Sequence, residues 1–264
     1  MTAAREFVHF RVEGPIAYLE IDRPPVNAYN LQTHREIYEA LAELESNHDL
    51  CCVIMYAGGV AEGRPFSAGS DIKEFVGLDP RTSLDRSMHI RRYFASVSDF
   101  PLPVVAAVEN ITLGSGFAYA ARADIRVLST TASLGMPEVK VGALGGGYEM
   151  VRLVGVGKAR EMYYTGRRID AEEALRLGFA QQVVPAGEAL EAARQIGLEM
   201  AEVSPFGLRL AKEQMRFAES PLTRDEALRY ETELTALYRA VPDASESASS
   251  FLERRKPSFS GIDG

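Results

Sequence analysis

Two glycine-punctuated turns carry the chemistry that this chain displays: Phe66-Ser67-Ala68-Gly69-Ser70-Asp71 and Leu113-Gly114-Ser115-Gly116-Phe117, followed by Gly135-Met136-Pro137-Glu138. Each turn comes after an apolar, strand-like run and before a helix-like one, an order that can aim backbone N–H groups into one pocket. An acyl oxygen that becomes negative during reaction would be stabilised there, because preorganised donors in a dry site supply about 10²–10³ in rate each. Glu138 is the nearest candidate base.

The other reactive side chains are scattered. His9, His34, His48 and His89 share no motif and are expected as strand or surface residues, and Arg91 and Arg92 as a solvated helix face. Cys51 and Cys52, the only cysteines, are adjacent inside an apolar run, where neither a disulfide framework nor a metal site is expected. They read as small core residues in a reducing compartment. A net charge of −8 argues against a nucleic-acid surface, while leaving room for a local basic rim around an anionic ligand. No run approaches the roughly 18 apolar residues of a membrane span, and residues 1–8 lack a signal-peptide core, so a cytoplasmic location is expected.

At 264 residues, with 46% hydrophobic and 25% charged side chains, the chain can bury a sizeable core as one large domain or as a domain with an appendage. Residues 8–12 and 16–21 flank Glu13-Gly14-Pro15 as the two arms of a hairpin, and Arg23-Pro24-Pro25-Val26-Asn27 breaks the second arm. Ile37, Leu41 and Leu44 recur at helical spacing over residues 31–44, whereas residues 51–57 form a continuous apolar run, expected as a strand buried on both faces. The pattern then repeats: strand at 104–108, loop and turn at 109–115, small-residue helix at 116–122, strand at 124–129, the segment 133–137, and a glycine cluster at Gly145-Gly146-Gly147. Such units in succession predict parallel sheets wound into a spiral rather than one open sheet. Helices are expected at 160–166, 171–178 and 189–203, with a short strand at 181–184. Three more, at 208–218, 224–241 and 245–255, predict a helical part that needs another surface to cover its apolar stripe. The boundary falls near Ser204-Pro205, separating a core of residues 1–203 from a C-terminal region of residues 204–264.

An ordered set of segments gives the chain a family likeness. Asp22-Arg23-Pro24 with Asn27, Phe66-Ser67-Ala68-Gly69-Ser70-Asp71-Ile72-Lys73-Glu74, Leu102-Pro103-Val104-Val105-Ala106-Ala107-Val108 and Leu113-Gly114-Ser115-Gly116 are followed by Ala123-Asp124 and Gly135-Met136-Pro137-Glu138-Val139. Gly155-Val156-Gly157-Lys158-Ala159 and Phe251-Leu252-Glu253-Arg254-Arg255-Lys256-Pro257 complete the set. Nearly end to end, the chain resembles the enoyl-CoA hydratase/isomerase, or crotonase, superfamily. The resemblance implies an α/β fold, a crotonase-like spiral of repeated ββα units with a helical C-terminal trimerisation region, assembling as a homotrimer or a dimer of trimers. It also implies an acyl-CoA thioester as the bound molecule, coenzyme A being part of the substrate, with no separate cofactor; no metal is expected, and charge and hydropathy give no expectation of a membrane or nucleic-acid partner. By position the two oxyanion-hole N–H groups fall on Ser70 and Ser115. Ser115 stands where most members have glycine, so its hydroxyl could crowd the thioester or donate to it. Coenzyme A contacts carry over to Arg23, Val26, Asp71, Ile72, Lys73 and Ala68, whose carbonyl would receive the adenine amino group, and to Arg254, which matches a basic residue that reaches the phosphates in some members.

One part is missing. Hydratases of this family hold a water between two glutamates; Glu138 matches the second, but the position of the first is Ala118, and a methyl group neither orients water nor moves a proton. A single glutamate beside an oxyanion hole is enough to move a double bond, and family isomerases commonly work that way, so isomerisation between 3-enoyl and 2-enoyl forms is the favoured reaction. Hydration remains open if Glu149, Tyr148 or Tyr119 replaces the lost carboxylate, as do carbon-carbon cleavage and decarboxylation. Tyr119 should point about 100° away from Ala118 and is expected to serve packing. The position eight residues after Glu138, acidic in hydrolase, dehalogenase and dienoyl-isomerase members, is Gly146, which counts against those three readings. Phe75, Val76, Leu78, Met88, Tyr93 and Phe94, in a helical segment that varies across the superfamily, are candidates for an apolar acyl tunnel, with His89 and Arg91 beside them. A non-catalytic CoA-ester-binding or assembly protein is the alternative of another class.

Overall fold

The computed structural model describes residues 5–220 and 223–260; the outer ends of the two expected regions, at 1–4 and 261–264, lie outside the described residues, as do 221 and 222. The chain opens with strands β1 (Val8–Glu13) and β2 (Ile16–Ile21), an antiparallel hairpin in which Glu13 faces Ile16 across Gly14 and Pro15. Strand β3 (Ala28–Tyr29) leads into helix α1 (Leu31–Glu45), capped by the Asn30 side chain accepting from the Thr33 N–H. Strands β4 (Cys52–Ala57) and β5 (Gly69–Ser70) precede helix α2 (Pro80–Asp99). Then come β6 (Val104–Val108), β7 (Ile111–Leu113) and α3 (Ser115–Arg122), followed by β8 (Ile125–Ser129), β9 (Ser133–Gly135) and α4 (Gly147–Val154). Helix α5 (Val156–Thr165), β10 (Arg168–Asp170), α6 (Ala171–Arg176), β11 (Gln182–Val184) and α7 (Ala189–Met200) complete the core. Helices α8 (Pro205–Ala218), α9 (Arg224–Arg239) and α10 (Pro242–Glu253) follow.

The main sheet runs β1-β2-β4-β6-β8-β11, parallel from β2 onward. A sheet covered on both faces needs apolar side chains on both, and every residue of β6 is buried. Alternate residues divide accordingly: Val53, Met55, Val104 and Ala106 face the larger core, while Cys52, Ile54, Val105 and Ala107 face a second layer closed by Ala189 and Ala193 of α7. Cys51 and Cys52 are buried free thiols within that arrangement.

Strands β2, β4, β6 and β8 of the main sheet are each followed by a short strand of a second ladder. β5 pairs with β3, Ser67 bridges to Thr112 of β7, and β7 pairs in parallel with β9, which β10 closes antiparallel. This is the spiral of repeated units expected from the sequence. The two- and three-residue rungs were not foreseen individually, because elements that short carry no periodicity.

Helix ends differ by a few residues from expectation: α5 begins at Val156 rather than 160, α7 stops at Met200, α8 begins at Pro205 and α10 at Pro242. The α8 start has a plain cause, since Ser204 caps it by accepting from the Gly207 N–H and proline occupies its first turn. The C-terminal helices are fastened to the core by Lys212 of α8, whose buried ammonium donates to the Leu102 carbonyl (2.9 Å) and to Asp124 (2.6 Å). Among the described residues no helix is long and apolar enough to cross a membrane.

Candidate active site

The ladder of short strands brings the two glycine turns together. Ser67 organises the first: its N–H donates to Ile111 (3.2 Å), its carbonyl accepts from the Leu113 N–H (2.9 Å), and its hydroxyl donates to Asn27 (2.7 Å) while accepting from the Gly69 N–H (3.1 Å). The second turn is tied to the next rung through the Gly114 N–H, which donates to the Gly135 carbonyl (3.0 Å). Both turn glycines have positive φ, +99° at Gly69 and +51° at Gly114. They are also in close approach: a Cβ on Gly114 would lie 3.3 Å from the Gly69 Cα and 2.5 Å from Oε1 of Glu138. Glycine is therefore required at Gly114 both by conformation and by the space the carboxyl group occupies.

Ser115 is the first residue of α3, so its N–H has no carbonyl a turn back within the helix to bond and sits at the positive end of the helix dipole. Ser70 closes the first turn on β5. Their hydroxyl oxygens are 2.5 Å apart, which fixes the two turns edge to edge. Glu138 opens a 3₁₀ turn (Glu138–Val141) directly after β9. Its Oε2 is buried without a hydrogen-bond partner, and desolvation pushes the carboxyl up to about 7. Ser70, Ser115 and Glu138, the three expected catalytic positions, thus come from three successive coils and meet in one place.

The expected coenzyme A positions form a rim beside the first turn, with one exception. Arg23 donates to the Ala28 carbonyl (2.7 Å) and pairs with Asp71 (2.9 Å), while its Nε is buried and unpartnered. The Ala68 N–H donates to the Val26 carbonyl (3.0 Å), so these two exposed residues are adjacent. Ile72 and Lys73 project from the following 3₁₀ turn (Ile72–Phe75) into solvent, capped by Asp71. Arg254 is the exception: it ends α10 in a left-handed conformation, and among the described residues no hydrogen bond or ion pair joins it to either turn.

Ala118 is buried on α3, one turn beyond Ser115. Its carbonyl accepts from Arg122 (3.0 Å), and the same guanidinium pairs with Glu149 of α4 (2.6 Å) and lies over the Phe94 ring (4.7 Å). Burial lowers the pKa of Arg122. Sequence reasoning overlooked Arg122; its signal is a lone cation ending an otherwise small and apolar helix. Of the three candidate substitutes for the missing glutamate, Tyr148 is largely exposed, Glu149 is buried, and Tyr119 is buried against His34, its hydroxyl 2.9 Å from the ring Nδ1. His34 is therefore neither a strand nor a surface residue: the apolar face of α1 carries it inward, where burial holds its pKa down near 3. Gly146 has no room for an acidic side chain without displacing Met136, whose Cε would lie 2.4 Å from a Cβ there. Of the tunnel candidates, Phe94 packs on Tyr119 and His34, Tyr93 stacks near Tyr38 and His89, and Val76 and Met88 are exposed.

Comparison with known proteins agrees with the family likeness seen in the sequence. Residues 11–262 match the family model described as enoyl-CoA hydratase/isomerase. A probable enoyl-CoA hydratase of Mycobacterium tuberculosis is 33% identical over 249 residues, covering 92% of this chain and 94% of that protein. A carnitinyl-CoA dehydratase of Citrobacter koseri is 32% identical over 264 residues, covering 97% and 99%. The crystal structure of an enoyl-CoA hydratase from Bacillus anthracis superposes with a TM-score of 0.90 at 29% identity, covering 97% of this chain and all of that one.

Proposed function

This chain belongs to the enoyl-CoA hydratase/isomerase family, and from that premise we propose that it moves a double bond in an acyl-CoA thioester through an oxyanion-stabilised enolate, with Glu138 as the base. The thioester oxygen lies between the N–H groups of Ser70 and Ser115. The Glu138 carboxylate takes a proton from C2 of a 3-enoyl thioester; the C–H electrons pass into the conjugated system and onto the thioester oxygen, giving a dienolate held by the two donors. The Glu138 carboxyl group then returns its proton at C4, leaving the double bond between C2 and C3. No proton is gained or lost overall, so one carboxyl group suffices. On this reading coenzyme A arrives as part of the substrate along Arg23, Val26, Ala68, Asp71, Ile72 and Lys73, and no further cofactor takes part.

The observation that carries this reading is the placement of the Glu138 carboxyl group against Gly114 at the meeting of the two turns, with one oxygen unpartnered and a methyl group at Ala118. A carboxyl group near half-ionisation at neutral pH is suited both to accept and to return a proton. A second reading, hydration, is favoured by the buried Glu149, which Arg122 holds beside α3, and by the hydratase and dehydratase names of the relatives.

Incubation with 3-enoyl-CoA and 2-enoyl-CoA esters in heavy water tests both. Deuterium uptake with bond migration is expected from the wild type, and Glu138→Gln is expected to lower it by about 10²–10⁴-fold while leaving binding of the ester nearly unchanged. Exchange at a near-normal rate in that variant removes Glu138 from its role; product heavier by one water turns the assignment to hydration.

A further inference from the structure

The two residues assigned as backbone donors are both serines, and their side chains meet. Ser70 Oγ and Ser115 Oγ are 2.5 Å apart, and among the described residues neither hydroxyl has another hydrogen-bond partner. Two hydroxyls carry two protons, and the contact between them uses one. One O–H is left over, in a place where Ser115 is buried. By covalent geometry each Oγ stays near its own N–H, so on the enolate reading the spare proton sits beside the two N–H groups assigned to the thioester oxygen. A hydroxyl that already accepts a hydrogen bond is also a better donor, because the chain of bonds polarises it.

Resting on the enolate reading above, we propose that the Ser70 and Ser115 hydroxyl pair supplies a third, side-chain hydrogen bond to the thioester oxygen, one serine donating to substrate and the other to its partner. The first is then a catalytic residue and the second a positioning residue. Charge building on the oxygen in the enolate strengthens that bond relative to the neutral thioester, so its worth appears in kcat more than in KM. Elsewhere in the molecule the buried Lys212 ammonium is held by Asp124, and the Tyr119 hydroxyl by His34.

Ser70→Ala, Ser115→Ala and the double variant test the proposal through a quantity that does not need turnover: the carbonyl stretching frequency of bound butyryl-CoA, isotopically labelled at the thioester carbonyl. The wild type is expected to shift that band to lower frequency. The variant lacking the donating hydroxyl is expected to lose part of the shift and about 10- to 100-fold in kcat, with KM changed less than about threefold; the partner variant loses less, and the double variant no more than the worse single one. Ser115→Thr, which keeps the hydroxyl, restores the shift if Ser115 is the donor. An equal shift and equal kcat in the wild type and both alanine variants overturns the hydroxyl role alone. A lower melting temperature with an unchanged shift overturns it too, since the pair then serves only to join the turns. No shift in the wild type overturns both this proposal and the acyl-CoA reading it rests on.

Discussion

At the scale of the residue, Glu138 is governed by desolvation. Its carboxyl group titrates near 7 in the fold against an ordinary value of 4.5. Between those values the folded state keeps a proton that the unfolded chain releases, so stability falls as pH rises through that window. Glu138→Gln, which resembles the protonated form, is expected to be more stable than the wild type by on the order of 1–3 kcal/mol above pH 7, the difference vanishing below about pH 4.5, as read from urea unfolding at each pH. The same titration sets the base: kcat/KM is expected to climb with pH through about 7 and then level off, and a flat profile from pH 5 to 9 would contradict a single-carboxylate mechanism. That the two glycine turns and the proline-flanked Glu138 come together was legible in the sequence, because such turns announce themselves locally; Ser70 and Ser115 were picked out within them by the family resemblance. Arg122 and Glu149 were not seen as a pair, since their bond joins helices 27 positions apart in a chain and nothing local requires it.

At the scale of the element, α3 is set by a contact with the first turn. A Cβ on Gly116 would lie 2.3 Å from the Ser67 Cβ, and Ser67 has no freedom to retreat because its amide, carbonyl and hydroxyl are all bonded. Gly116→Ala is therefore expected to push the α3 N-terminus away from the first turn, widening the space between the two donors. Activity should fall by about 10²-fold, the effect of roughly a 1 Å displacement, with a stability loss of about 1–3 kcal/mol from overpacking. Steady-state kinetics beside thermal unfolding separates the two, and a variant with wild-type kcat would show that the turns are not held by this contact. The long strands and α1 were readable from their periodicity. The rungs β3 and β5, each two residues long, were not, because what defines them is a neighbour on the adjacent coil rather than any pattern of their own.

At the scale of the whole molecule, the C-terminal helices leave apolar side chains uncovered. Phe251 and Leu252 of α10 are 82% and 80% exposed, and Leu237 of α9 is half exposed. Clustered exposure of this kind marks a contact surface, and we expect a homotrimer or a dimer of trimers in solution. Sedimentation should find that species, and Phe251→Asp combined with Leu252→Asp should reduce its mass; a monomeric wild type would contradict the expectation. The helices α8, α9 and α10 were legible from the change of pattern after Ser204, whereas what those helices rest against was not. Their mooring is a buried lysine, Lys212, which hydropathy assigns to the surface. The ladder of short strands has a consequence for how such a chain can change. Ser70 ends the rung β5, Ser115 follows β7 and Glu138 follows β9, so the reacting groups are stacked like the treads of a spiral stair, each fixed by the tread beside it. The stretch between treads, above all the 20-residue α2, supplies none of those reacting groups and touches α3 through Phe94. Its exposed positions, such as Leu84 and Met88, are free to drift, and with them the molecule that is accepted, while the stairwell and its chemistry stay put.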